Sequence, residues 1–172
     1  MTVTCHFPLD GAAATETLAL ALAPRLGAGD ILALSGPIGA GKSVLARALI
    51  QTRLRAHGVE EDVPSPSFTL VQTYQAGPLE IWHCDLYRLT HADEVLELGL
   101  EDAFDTALTL IEWPERLGAD LPARALRLDL QPRAEGDLRD ATLSFDDESW
   151  QDRLSDLIAG AAGPQTETVD DR

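Results

Sequence analysis

The sequence predicts an α/β fold in which helices flank a sheet of mixed parallel and antiparallel strands. The first observation is an apolar run at residues 30–35, which is followed by a glycine-rich loop and a helical pattern over residues 42–55. The second is a pair of strand-like runs on either side of Gly77-Pro78, which indicates an antiparallel hairpin. A chain of 172 residues, 45% of them hydrophobic, can bury one core without disulfides. We therefore predict one domain over residues 1–160 and a flexible acidic tail over residues 161–172.

Local patterns predict the other elements. A weak alternation indicates a strand at residues 3–7, and Asp10 is placed to cap a helix that runs to about Leu26. The two strands of the hairpin are predicted at residues 69–74 and 79–87. Farther along we predict helices at 91–98, 102–107 and 148–158, a buried strand at 108–113, and a second hairpin of strands 125–130 and 138–145. Hairpins on both sides make the predicted sheet unlike a pure βαβ repeat.

Residues 36–43 read Gly-Pro-Ile-Gly-Ala-Gly-Lys-Ser and match the phosphate-binding P-loop pattern at each fixed position. The backbone that would wrap a phosphate belongs to Gly36, Gly39, Ala40 and Gly41. Lys42, the only lysine of the chain, is expected to reach the β- and γ-phosphates, and Ser43 to offer its hydroxyl to Mg²⁺. A strand, this loop and a helix in that order predict a nucleotide site in a P-loop NTPase-like fold.

The single lysine also selects the nucleotide. A guanine-reading Asn-Lys-x-Asp motif is impossible when Lys42 already belongs to the P-loop, so we predict that the cofactors are ATP and Mg²⁺. A P-loop site needs an acid at the end of a buried strand to hold the metal. Glu112 follows the better buried run and is assigned to Mg²⁺, while Asp85 follows a mixed, half-exposed run and is assigned to the attacking water or to a switch segment. Each carboxylate could instead cap a neighbouring loop.

Three hydroxyls and an indole complete the candidate site. Ser65, Ser67 and Thr69 could sense the γ-phosphate as a switch, or could satisfy the local backbone in a turn. Trp113 could stack on the nucleotide or a partner, or be an ordinary buried aromatic, and for His83 we favour packing over catalysis.

The charge and the cysteine content predict how the protein meets RNA and in which compartment it works. A formal net charge of −16 argues against unaided binding of nucleic acid, so any contact with RNA is expected to pass through partner proteins. Two distant cysteines indicate a reducing compartment. No arginine or lysine precedes Arg25, and the apolar segment 12–26 is too short to span a bilayer, so we expect a cytoplasmic protein without a membrane contact.

Four motifs in order resemble the TsaE/YjeE family, the bacterial ATPase that assists synthesis of threonylcarbamoyladenosine in tRNA. They are the P-loop at 36–43, Ser-Pro-Ser-Phe-Thr-Leu at 65–70, His-Cys-Asp-Leu-Tyr-Arg-Leu at 83–89 and Ile-Glu-Trp-Pro-Glu at 111–115. The resemblance runs from about Asp10 to Arg139. It implies a weak ATPase that works with the threonylcarbamoyl-transferring enzyme and its inactive paralogue, of TsaD and TsaB type, and meets tRNA only indirectly.

The resemblance also implies roles for single residues. Lys42 would hold phosphate, Ser43 and Glu112 would hold Mg²⁺, and Asp85 would be needed for hydrolysis. Segment 65–70 would be a switch, Trp113 a functional aromatic near the nucleotide, and Asp10 would lie where the N-terminal segment approaches the base. This chain departs from the family pattern at Pro37, Ser43 and Ser67, where Asp, Thr and Thr are common, but both serines keep the hydroxyl.

Two other functions fit a P-loop protein of this length. One is a small-molecule kinase. Such an enzyme usually places arginines over the transferred phosphate, and several arginines of this chain could do so, although no spacing singles any of them out. The other is an adaptor that binds ATP without turnover. Phosphate release without an acceptor would count against both.

Overall fold

The computed structural model describes residues 1–91, 93–161 and 165–167. In that part of the chain the strands are β1 Thr2–Asp10, β2 Ile31–Ser35, β3 Val71–Ala76, β4 Leu79–Asp85, β5 Leu108–Glu112, β6 Leu126–Pro132, β7 Leu138–Phe145 and β8 Gln165–Glu167. The α-helices are α1 Gly11–Leu22, α2 Lys42–Arg55, α3 Asp93–Glu97, α4 Leu100–Thr106, α5 Ser149–Arg153 and α6 Ser155–Ala159. Short 3₁₀ helices span Ala23–Arg25 and Pro114–Asp120.

The strands form one sheet in the order β3-β4-β5-β2-β6-β7-β1-β8. Its centre is parallel, because β5 pairs with β4 and β2, and β2 pairs in turn with β6. Antiparallel partners extend it on both sides, with β3 on β4 at one end and β7, β1 and β8 at the other. The predicted mixed sheet is therefore confirmed. Parallel strands bring their carboxyl ends to one edge, and β2, β4 and β5 end there together.

Helices cover both faces of the sheet. On one face α1 and α2 pack on alternate strand residues in a core that includes Leu22, Leu45, Leu49 and Leu128. On the other face α4 packs Leu100 and Phe104 against Ile111. The central strands are buried on both sides, which explains why β2 and β5 lack the alternation of buried and exposed residues that a half-exposed strand shows.

Several elements differ from the sequence-based expectations. β1 runs to Asp10 because it pairs with β7 along eight residues. The last predicted helix is two helices, since Leu154 has φ −108° and ψ 6°, outside the helical range. The second half of β4 is buried and not half-exposed, because both faces of the strand are covered, with Ile81 in one core and Cys84 in the other.

The predicted acidic tail contains one described element. Gln165–Glu167 pairs with β1 as an edge strand, which local composition did not indicate. Residues 162–164 and 168–172, and residue 92 in the helix predicted at 91–98, lie outside the described residues. None of the helices in the described ranges combines the length and apolarity that a bilayer crossing requires.

Candidate nucleotide-binding site

A cleft of about 470 Å³ opens where the P-loop, the 65–70 segment and the ends of β4 and β5 meet. It is lined by Ile38, Gly39, Gly41, Lys42, Ser43, Val44, Ser65, Ser67, Asp85, Tyr87, Arg88, Glu112, Trp113 and Arg139. The fold thus brings together the P-loop and three motifs that are distant in the sequence. An open α/β sheet generally binds ligands at this edge, outside the carboxyl ends of its strands.

Two P-loop glycines are required by the geometry of the backbone. Gly36 has φ +133°, and a Cβ there would lie 2.3 Å from the Leu130 carbonyl oxygen of neighbouring β6. Gly41 has φ +108° and forms the left-handed N-cap from which α2 starts. Ala40 is fully buried beneath the loop. The loop therefore lies close on the sheet and leads directly into the start of α2, where a helix N-terminus favours an anion, while the Ala40 N–H donates to the Pro37 carbonyl within the loop.

Lys42 is the P-loop cation of the cleft, and it is buried. Its Nζ donates to the carbonyl oxygens of Gly36 and Pro37 and lies 4.1 Å from the ring centroid of Trp113. Burial lowers the pKa of Lys42 by desolvating its charge, and the nearby Glu112 carboxylate opposes that effect. Loop carbonyls and an aromatic face thus hold this ammonium inside the curve of the P-loop.

The Glu112 carboxylate is buried and has a separate partner for each oxygen. Oε1 accepts a hydrogen bond from Ser43 Oγ at 2.7 Å, and Oε2 lies 2.7 Å from His83 Nε2. The structure therefore brings together the hydroxyl and the acid that were both assigned to the metal. It also places beside them a histidine for which the sequence indicated packing.

Asp85 holds the segment that was predicted to be a switch. Its Oδ2 accepts from Ser65 Oγ at 3.0 Å and from Ser67 Oγ at 3.2 Å, while Oδ1 accepts from the Tyr87 backbone N–H. Thr69 is not part of this arrangement: it is exposed, and its Oγ1 accepts from Gln72 Nε2 at 3.3 Å. In the described residues Asp85 thus contacts only two of the three candidate switch hydroxyls.

Two non-glycine residues with left-handed backbone lie beside the two acids. Trp113 follows Glu112 with φ 60°, and Leu70 has φ 65° while its carbonyl accepts from the Asp85 N–H. Such backbone costs of order 1–3 kcal/mol per residue and persists where the surroundings fix it. At Trp113 this backbone conformation places the ring over Lys42 and against Tyr87, with 4.9 Å between the centroids of the two aromatic rings.

Asp10 does not reach the cleft that the described residues form. It is the N-cap residue of α1, as predicted, but its side chain makes no capping hydrogen bond. The residue that contacts the P-loop from this side is Arg139 of β7, whose Nη2 donates to the Gly39 carbonyl at 3.2 Å. Its Nε is buried and has no partner among the described residues. Sequence reasoning missed Arg139 because its contact spans a hundred positions and no motif surrounds it.

The oxygen ligands of the cleft fit a magnesium ion bound together with a nucleotide. Within the described ranges, no three His, Cys, Asp or Glu side chains cluster as a metal cage. Mg²⁺ does not need one, because it is commonly held by one or two protein ligands, phosphate oxygens and water. The Ser43 hydroxyl beside the Glu112 carboxylate is a donor set of that kind.

The fold and the cleft define a P-loop protein of the NTPase-like class. The family profile described as "Threonylcarbamoyl adenosine biosynthesis protein TsaE" matches residues 9–140. The chain belongs to the TsaE family, which acts in the biosynthesis of threonylcarbamoyladenosine in tRNA. The resemblance noted from the four motifs is thereby confirmed.

Individual relatives agree with this assignment. The tRNA threonylcarbamoyladenosine biosynthesis protein TsaE of Rickettsia bellii is 39% identical over 117 residues, which are 68% of this chain and 79% of the relative. The protein of the same name from Mycobacterium bovis is 36% identical over 140 residues, covering 76% of this chain and 81% of that protein. The crystal structure of Bacillus subtilis YdiB superposes with a TM-score of 0.74 at 25% identity, covering 91% of this chain and 95% of YdiB.

Proposed function

We propose that this chain binds ATP with Mg²⁺ in the cleft and hydrolyses it slowly, as the ATPase of the protein complex that makes threonylcarbamoyladenosine in tRNA. The observation that carries the proposal is the 2.7 Å contact between Ser43 Oγ and Glu112 Oε1 beside the P-loop lysine. A P-loop hydroxyl and a strand-end carboxylate are the groups with which P-loop ATPases hold Mg²⁺. When bound, Mg²⁺ would neutralise part of the charge on the β- and γ-phosphates.

Each side chain has a separate task in this proposal. Lys42 would donate its hydrogen bonds to phosphate oxygens in place of the carbonyls of the loop. The Ser43 hydroxyl and the Glu112 carboxylate, which now contact each other, would hold the metal. Asp85 would order the attacking water once the γ-phosphate draws the hydroxyls of Ser65 and Ser67 toward the nucleotide. Segment 65–70 would thereby report whether a γ-phosphate is present.

The proposed partners are a threonylcarbamoyl-transferring enzyme and its inactive paralogue, the TsaD and TsaB types, in the cytoplasm. A net charge of −16 supports indirect contact with tRNA, because few cations are available to neutralise phosphates. A P-loop alone compensates the transition-state charge only in part, and an arginine supplied by a partner is worth about 10³- to 10⁵-fold in rate where it operates. We therefore expect slow turnover by the isolated chain and faster turnover in the complex.

The test is phosphate release from ATP by the chain alone, with tRNA alone, and with the two partner proteins. The Lys42→Ala variant in each mixture measures contaminating ATPase activity. We expect the partners to raise turnover by about 10³-fold, the low end of the range for a supplied arginine. Stimulation by bare tRNA as strong as that by the partners would contradict indirect contact. Transfer of the phosphate to a metabolite would instead favour a kinase.

A further inference from the structure

His83 lies directly behind the candidate magnesium ligand. Its imidazole is fully buried, and Nε2 is 2.7 Å from Glu112 Oε2. In the parallel pairing of β4 with β5, Asp85 lies opposite Glu112. Side chains alternate along a strand, so His83 shares the face of Asp85 and meets Glu112 from below the cleft.

The hydrogen-bond inventory fixes the direction of this contact. An ionised carboxylate only accepts hydrogen bonds, so His83 Nε2 carries the hydrogen and donates it to Glu112. A neutral imidazole then has a bare Nδ1, and this atom is buried without a partner in the described part of the chain. A buried histidine that serves only packing is expected to have both nitrogens paired. Among the described residues, the one polar contact of this ring is the one to Glu112.

We propose that His83 is a positioning residue for the magnesium site, an inference that rests on the proposed function. Its donated hydrogen bond anchors Oε2 of Glu112, so that Oε1 faces Ser43 and the cleft before any metal arrives. A glutamate side chain has three rotatable bonds, and fixing it in advance removes part of the entropy cost of metal binding. Loss of this hydrogen bond should therefore lower the affinity of the site for Mg²⁺ and leave nucleotide binding in the absence of metal unchanged.

The experiment is calorimetric titration of ATP at a series of Mg²⁺ concentrations and in EDTA. It compares the parent chain with His83→Gln, whose amide nitrogen can reach the place of Nε2, and with His83→Asn, whose shorter amide cannot. Thr109→Val alters a fully buried polar residue of adjacent β5 away from the cleft and serves as the matched control. Circular dichroism establishes that each variant is folded. His83→Leu, which removes the donor without burying a new polar group, replaces the Asn variant if that variant does not fold.

We expect His83→Asn to raise the Mg²⁺ concentration needed for half-maximal tightening of ATP binding by about 10- to 100-fold, as is typical of residues that orient metal ligands. His83→Gln and Thr109→Val should stay within about threefold of the parent, and all four chains should bind ATP equally in EDTA. An unchanged Mg²⁺ requirement in the Asn variant, or a Gln variant as impaired as the Asn variant, would overturn the inference. A parent chain that fails to bind ATP with Mg²⁺ would instead contradict the proposed function.

Discussion

Glu112 and Asp85 lie opposite each other on neighbouring strands but contact different groups. Glu112 faces the Ser43 hydroxyl, whereas Asp85 accepts hydrogen bonds from the two serines of the 65–70 segment. Both are strand-end carboxylates, and the sequence could rank them only by how apolar their strands are. Their different partners are a result of the tertiary structure.

These partners predict different effects for two isosteric substitutions. Glu112→Gln should remove most of the tightening of ATP binding by Mg²⁺, about tenfold or more, because a neutral amide is a poor magnesium ligand. Asp85→Asn should keep ATP affinity within about threefold and slow hydrolysis by roughly 10²-fold, the scale of a lost general base. Calorimetry and single-turnover hydrolysis measure the two effects. Exchanged phenotypes would mean that the roles of the two acids are exchanged.

The sequence predicted Lys42, Ser43 and Glu112 because a motif or a buried strand identifies each of them. It could not predict Arg139 on the P-loop or His83 on Glu112, because each contact joins residues that are distant in the chain. One signal for His83 was present: a residue two positions before Asp85 in a strand must point to the same face.

Among the elements, α2 has the bounds that the sequence predicted, Lys42–Arg55, since a left-handed glycine precedes it and its apolar spacing is helical. The C-terminal helices were less predictable because tertiary contacts hold them. Arg153 at the end of α5 bonds both carboxylate oxygens of Asp30, just before β2, and its guanidinium lies 4.2 Å from the Trp150 ring centroid. Asp30 also accepts from the Gly27 N–H.

This contact predicts a stability effect far from the cleft. Asp30→Ala should lower the free energy of unfolding by about 1–3 kcal/mol, because it removes a partly buried bidentate ion pair and the side-chain acceptor of the Gly27 N–H. Asp156→Ala, an exposed acid of α6, is the matched control and should stay within about 0.5 kcal/mol of the parent. Urea unfolding followed by circular dichroism measures both. Equal effects of the two substitutions would show that the Asp30–Arg153 pair does not hold the C-terminal helices.

At the scale of the whole molecule, one sheet carries the two cores on its opposite faces. Cys5 of β1 belongs to the core under α1 and α2, and Cys84 of β4 belongs to the other core. Both are fully buried, and burial raises the pKa of each thiol, so neither should react while its strand is in place. Each cysteine therefore reports on a different face of the sheet.

If residues 1–160 form one domain, as we propose, both thiols should become reactive in a single transition. The labelling rates of Cys5 and Cys84 are read from separate peptides by mass spectrometry. We expect the logarithms of the two rates to rise with urea concentration at the same slope, because exposure of either thiol needs the same opening of the sheet. The variants Cys5→Ala and Cys84→Ala assign each signal. Labelling of one thiol well below the unfolding transition of the other would show two separately stable units.

The central claim, that the Lys42 cleft is the nucleotide site, is tested most directly by calorimetric titration of Mg²⁺ and ATP into the parent chain and into Lys42→Ala. Loss of two charge-assisted hydrogen bonds should weaken binding by about a hundredfold or more. Arg55→Ala, which removes an exposed cation from the far end of the same helix, should bind like the parent. A folded Lys42→Ala variant that binds Mg²⁺ and ATP as tightly as the parent would contradict the account.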